Sequence, residues 1–208
     1  MINDTPLDLY AIKIAENAWE KLVNEMDLPE LKAVDKGLCT LNEEIMSKII
    51  RYLKGTTKTF SLDNAIPNDE EKVTSARNLM QKHLSASPFK QKAIKGDSYF
   101  VKTSDDNTFE IGYIRFNLMS ILHELGHAFL DMHRVQVGEV LWNNNLQLQS
   151  ETTVNAFSRA FAMPRERFLK KVAQYSTRDS CDISSVANSF GVEYIYAYIR
   201  GKELHLWD

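Results

Sequence analysis

This chain has little sulfur, little proline and no excess of basic charge. Its 208 residues include two cysteines, Cys39 and Cys181, far apart and with no second cysteine beside either. A disulfide framework or a thiolate metal cluster needs more sulfur at closer spacing, so neither organises this chain, and both thiols are expected reduced. Five prolines leave long stretches free to form helices. The formal net charge is −3 and the pI about 6.0, so there is no electrostatic footprint for nucleic acid or for an anionic membrane. No apolar run is long enough to span a bilayer. The opening MINDTPLDLY lacks a basic segment followed by an apolar one, so no secretory leader is expected and a cytoplasmic location is. What is present is the balance of a globular protein: 44% hydrophobic and 25% charged residues, with enough chain to bury a core without staples.

Apolar spacing places the elements. Leu9, Ile12, Ala15, Ala18, Trp19, Leu22, Val23 and Met26 repeat at helical intervals over residues 8–27. Thr40-Leu-Asn-Glu43 has the form of a capping box and opens a second helix, with Ile45, Ile49, Ile50 and Leu53 inward and Gly55 as its stop. Residues 55–68, polar and containing Pro67, are expected to be loop. Asn68 to Glu71 starts a third helix, striped by Val73, Ala76, Leu79, Met80 and Leu84 and broken over Ser85–Pro88. From 97 to 116 the character changes. Tyr99, Val101, Thr103 and Phe109, Ile111, Tyr113, Ile114, Phe116 flank Asp105-Asp106-Asn107, which predicts a β-hairpin. Residues 134–150 are expected to be loop. Helices are expected over 151–163, 166–175, from an Asp182 cap to Phe190, and over 192–200 after a turn at Gly191.

Between the hairpin and residue 134 lies His123-Glu124-Leu125-Gly126-His127, the HExxH pattern. Residues four apart lie nearly above one another on a helix, so both imidazoles can face one ion. Glu124 lies about 100° round the helix from His123, within reach of a water on that ion. Two neutral nitrogens and a nearby carboxylate make up most of a zinc hydrolase centre. The flanking residues, Leu118, Met119, Ile121, Leu122, Ala128, Phe129 and Leu130, are apolar, and burying a His-Glu-His set among them is costly unless it is satisfied. The competing reading is a core helix with two satisfied histidines. Asn117 suits the N-cap. Gly126 weakens the helix by about 1 kcal/mol relative to Ala, which suggests close approach of another backbone or a substrate.

A catalytic zinc takes three protein ligands and leaves a position for water. His133 stands ten residues after His123, the HExxHxxGxxH spacing, but Leu130 occupies the position where a turn needs Gly. Ten helical residues span about 15 Å, too far for one ion, so His133 is better read as a histidine favoured by the helix C-terminus. Glu139 has nothing to position it. Glu151 opens the helix Glu151-Thr-Thr-Val-Asn155-Ala-Phe157, and a second helix packed on the first can present a Glu to the metal. Asn155, one turn on, can hydrogen-bond to a ligand. Position alone leaves Glu151 balanced between a ligand and a carboxylate favoured by the helix dipole.

The order of these parts resembles the ImmA/IrrE family of metallo-endopeptidases. That family joins a hairpin to HELGH, then a helix of the form ExxANxFAxxLLMP, then a short helical tail. The matching residues here are His123 to His127, then Glu151, Asn155, Phe157 and Ala162-Met163-Pro164, and the tail Asp182-Ile-Ser-Ser-Val-Ala-Asn-Ser-Phe-Gly-Val. The resemblance covers about residues 95–200. It departs at Val154, where the family has Ala, and at Arg159-Ala160-Phe161, and residues 1–90 match no pattern. It implies His123, His127 and Glu151 as zinc ligands and Glu124 as general base. The fold it implies is α+β and zincin-like: mostly helical, with a small antiparallel hairpin before the HExxH helix and a helical tail. Three regions are expected: an N-terminal helical region (1–90) packed on the core, the peptidase core (91–180), and a helix-turn-helix-like tail (181–208).

The activity implied is site-specific cleavage of a regulatory protein, a transcriptional repressor or other helix-turn-helix regulator, with Zn²⁺ as cofactor and no direct nucleic-acid or membrane partner. A toxin-like protease held by a cognate partner, or a non-catalytic binding protein of the same fold, are the alternatives. An oxyanion donor is also needed. Tyr194, Tyr196, Arg200 and His205 are candidates, none singled out by spacing. Ala187, Gly191 and Val192 fall at helix-turn-helix spacing, but the helix after them carries one Arg, which favours packing or substrate docking over DNA binding.

Overall fold

The structure, a computed structural model, describes residues 5–60, 70–87, 97–102, 108–137, 151–178 and 180–207; the side chains of 134–137 lie outside the description. In chain order the described elements are α1 (Pro6–Glu25), α2 (Pro29–Asp35), α3 (Glu43–Tyr52), β1 (Gly55–Thr59), α4 (Glu70–Ala86), β2 (Ser98–Lys102), β3 (Phe109–Tyr113), α5 (Leu118–Val137), α6 (Glu151–Ala162), α7 (Arg165–Tyr175), α8 (Ile183–Phe190) and α9 (Tyr194–Glu203). The fold is α+β and mostly helical. No described helix is long and apolar enough to cross a membrane.

The sheet has the order β1-β3-β2. β2 and β3 pair antiparallel, Ser98 opposite Tyr113 and Lys102 opposite Phe109, as the sequence predicts; Asp105 to Asn107, the predicted turn, lies outside the described residues. The third strand corrects the sequence reading. Residues 55–59 are not loop but pair parallel to β3, Gly55 opposite Phe109 and Thr59 opposite Tyr113, which makes the sheet mixed rather than purely antiparallel. Three β-branched threonines favour the extended backbone. Their polarity hides the strand because β1 is an edge on which only Gly55 is buried.

Three boundaries also differ. α3 is capped by Asn42, whose Oδ1 accepts from Ile45 N at 3.0 Å, rather than by Thr40. That start leaves Leu41 free to enter the core. The helix ends at Leu53 and not at Gly55. α2 escaped the sequence reading because it is only seven residues long; Pro29 occupies its first turn, and Leu31 and Val34 are its buried side. α5 continues to Val137, into the expected loop, and residues 138–150 lie outside the description.

Alternation along β2 divides the core. Phe100 joins Phe109, Ile111 and Tyr113 in the main core with α1, α3, α5 and α6. Tyr99 and Val101 point to the other face, onto Ala76, Met80 and Leu84 of α4. The first ninety residues therefore supply a strand and two faces of that core. α1 lies along α6, where the Trp19 and Phe161 rings meet edge to face at 5.6 Å and Thr153 Oγ1 donates to Asp8 Oδ1 at 2.9 Å. α1 is thus the bed that holds α6, and α6 carries Glu151 and Asn155.

Candidate metal centre

The site begins with the start of α5. Asn117 Oδ1 accepts from Ser120 N at 3.0 Å, the cap the sequence predicts, and sets the helical phase of the residues after it. Leu118, Met119, Ile121, Leu122, Leu125 and Ala128 bury the inner side. His123 and His127 fall one turn apart, their rings 4.9 Å centre to centre and at 80° to each other.

The second helix reaches them because Gly126 has no side chain. A Cβ there would lie 3.0 Å from both Val154 Cγ1 and Phe157 Cδ1, tighter than ordinary packing allows. The expected close approach is therefore that of α6. It carries Glu151 Oε2 to 3.1 Å from His123 Nε2, and Asn155 Oδ1 to 2.9 Å from His123 Nδ1. One ligand atom from each of His123, His127 and Glu151 lies within 4.8 Å of the others. This is the sole such group of three among the described residues.

These residues fit a zinc ion on the chemistry of their atoms. Asn155 Oδ1 lies at Nδ1 of His123, and in the neutral imidazole that donates to it Nε2 is left as a lone pair for a metal. Glu151 Oε2 lies 3.1 Å from that nitrogen, with room for one ion to bond to both. A tetrahedral zinc with bonds of about 2.0–2.1 Å sets its ligands roughly 3.3 Å apart, close to this separation.

Around the cluster β2 supplies two contacts that sequence reasoning missed. Ser98 Oγ donates to Glu124 Oε1 at 2.9 Å, and both residues are buried. The Phe100 ring stacks on His127 at 6.3 Å and 15°. The available signal was a serine at an inward position, in phase with Phe100 and followed by the apolar run Tyr99 to Val101.

The remaining candidates go elsewhere. His133 is outside the cluster, since α5 stays helical through Leu130; burial pushes its imidazole below the ordinary value. Glu139 lies outside the described residues. Arg200 is wholly buried among carbonyl and carboxylate partners. Tyr194 stacks on Tyr198, Tyr196 packs against the main core, and His205 is exposed. Gly191 turns the chain between α8 and α9 at φ 68°. Cys39 and Cys181 are free thiols.

Residues 117–201 match the peptidase M78 family model, the IrrE N-terminal-like domain. No curated protein matches the chain. The IrrE-like match starts on the cap of α5 and ends inside α9, so it takes in both helices that meet at the cluster. It agrees with the resemblance read from HELGH and from the Glu151 helix. The family implies a metallopeptidase, and a His-His-Glu group is compatible with that activity.

Proposed function

We propose that this protein is a zinc-dependent, zincin-like endopeptidase that cuts one peptide bond in a regulatory protein. The observation that carries this reading is the convergence of His123, His127 and Glu151 beside a buried Glu124. Zinc held by those three side chains would supply a Lewis acid that polarises the scissile carbonyl and activates water near neutral pH.

The chain's own residues do the rest. Glu124 takes the proton of the attacking water and passes it to the leaving amine. Ser98 holds one carboxylate oxygen of Glu124, which fixes how the other is presented. Asn155 holds His123 in the tautomer that offers Nε2, and Phe100 keeps the His127 ring in plane. Among the described residues β2 is an edge strand, and its inner face touches both Glu124 and His127, so an extended substrate pairing with its backbone would lie across the site. By resemblance to a family linked to regulation, the substrate inferred is a helix-turn-helix transcriptional regulator, met in the cytoplasm and without nucleic acid.

The test is mass spectrometry of helix-turn-helix regulators encoded beside this protein after incubation with it. The wild type should cut one of them at a single bond. Glu124→Gln should retain zinc and lose activity by about 10²–10⁴-fold. Full cleavage by Glu124→Gln would remove the base assignment.

A further inference from the structure

Away from the metal centre, a cleft of about 460 Å³ lies between α1 and the start of α7. Arg167 lines it and is 7% exposed. Its Nη1 is buried with no hydrogen-bond partner. The guanidinium lies instead over the rings of Trp19, at 5.6 Å, and Phe190, at 4.9 Å. Asp35 favours its charge, yet Asp35 Oδ1 already accepts the indole N–H of Trp19 at 2.9 Å. Burial pulls the guanidinium below its ordinary value, but arginine stays charged in proteins. A buried cation without a bonded anion is costly and calls for one.

The same cleft receives a helix N-terminus. α7 is eleven residues long, and its N-cap, Pro164, makes no side-chain capping bond. Phe168 N–H donates to Pro164 O at 2.9 Å as the first bond of the helix, so the amides of Arg165, Glu166 and Arg167 precede the helical ladder. Those residues line the cleft, as does Lys170. Free amides, the positive end of the helix dipole and three cationic side chains make a receptor for an oxyanion. Of the four acids lining the cleft, Glu16 is held by Arg200 and Asp35 accepts from the Trp19 indole, while Glu20 and Glu166 are exposed. Those two rim carboxylates disfavour a polyanion and restrict the ligand to one small charged group. The volume is that of a small-molecule site.

We propose that this cleft binds the oxyanion group, carboxylate or phosphate, of a small molecule, with Arg167 and the first-turn amides of α7 as its receptors. The site is separate from the metal centre and stands whether or not the peptidase reading does.

The test is an NMR titration of the ¹⁵N-labelled full chain with inorganic phosphate, and in parallel with acetate, against chloride at constant ionic strength. The Trp19 indole N–H and the amides of Arg165 to Arg167 should move saturably with at least one anion, and the stronger of the two identifies the group. Arg167→Gln should weaken binding by about tenfold or more, the loss of one charge-assisted hydrogen bond. The double variant Arg165→Ala, Lys170→Ala changes only exposed side chains, keeps the fold, and should weaken binding several-fold. Three results would overturn the proposal: no saturable shift with either anion, unchanged binding in the double variant, or shifts confined to the amides of α5 and α6. The last would place the anion at the metal centre and leave that reading intact.

Discussion

Two clusters of charged side chains sit on apolar helices in this protein, and they are built on opposite rules. In the last turns of α9, Arg200 donates from Nε to Met163 O at 3.1 Å and from Nη1 to Glu203 Oε2 at 3.3 Å, and pairs with Glu16. Glu203 also accepts from Arg159, at 2.6 Å. Every charge there meets its opposite, and the side chains of Arg200 and Glu203 are fully buried. At the other cluster, Nε2 of His123 and the carboxylate of Glu151 stand 3.1 Å apart, with Glu151 half exposed. The first cluster is complete within the chain and ties α9 to α1 and α6. In the second, ligand atoms of His123, His127 and Glu151 converge where one cation would join all three. A polar group in a helical core is therefore not by itself a sign of function; the sign is metal-ligand atoms brought by two helices to within 4.8 Å of one another.

That contrast predicts where each substitution will be felt. The largest effect belongs to the His123, His127 and Glu151 cluster. His123→Ala or His127→Ala should weaken metal binding on the order of 10³-fold or more, since each removes about a third of the protein's grip on the ion. Competition with a chromophoric chelator measures it, and near-stoichiometric metal in either variant would break the comparison. Next comes the ion-paired cluster of Arg159, Arg200 and Glu203. Glu203→Ala leaves two arginines facing a void and should cost about 3–5 kcal/mol in denaturant unfolding. Replacing Arg159 and Arg200 by Met and Glu203 by Leu together leaves no buried arginine unpaired and should cost far less, and equal losses in the two variants would show that the ion pairs themselves carry the stability.

Smaller still is the outer support of the metal centre. Asn155→Ala frees His123 Nδ1 and should lower metal affinity by about 10–100-fold, with little change in thermal stability of the metal-free chain. A matching fall in that stability would make Asn155 a packing residue instead. The smallest effect is that of His133. Its imidazole is held below the ordinary value, so the unfolded chain binds a proton there more readily than the folded one. Its contribution to stability is therefore intact above the ordinary imidazole range and is lost as pH falls through the lowered value. His133→Gln should flatten the acid limb of a stability–pH curve, and an unchanged limb would remove this assignment.

How much of this was legible in the sequence depends on the range of each interaction. The two histidines and Glu124 are local, fixed by helical phase, and the spacing alone carries them. Glu151 needs α6 laid across α5, a matter of Gly126 against Val154 and Phe157, and position left it open until the family resemblance tipped it. Asn155 followed from being one turn further along the same helix. Ser98 and Phe100 were invisible as site residues because nothing in a strand pattern says which helix its inner face will meet. β1 was hidden by its polarity, since an edge strand has few buried positions to betray its period. Arg200 stood among the candidate oxyanion donors because its partner Glu16 lies at the other end of the chain.

X-ray absorption at the zinc edge of the purified, zinc-loaded protein tests the central claim most directly. The account predicts one zinc per chain in a shell of nitrogen and oxygen neighbours at about 2.0–2.1 Å, with the multiple-scattering signature of two imidazoles. A shell containing sulfur at about 2.3 Å, or a protein that takes up no zinc, would contradict it.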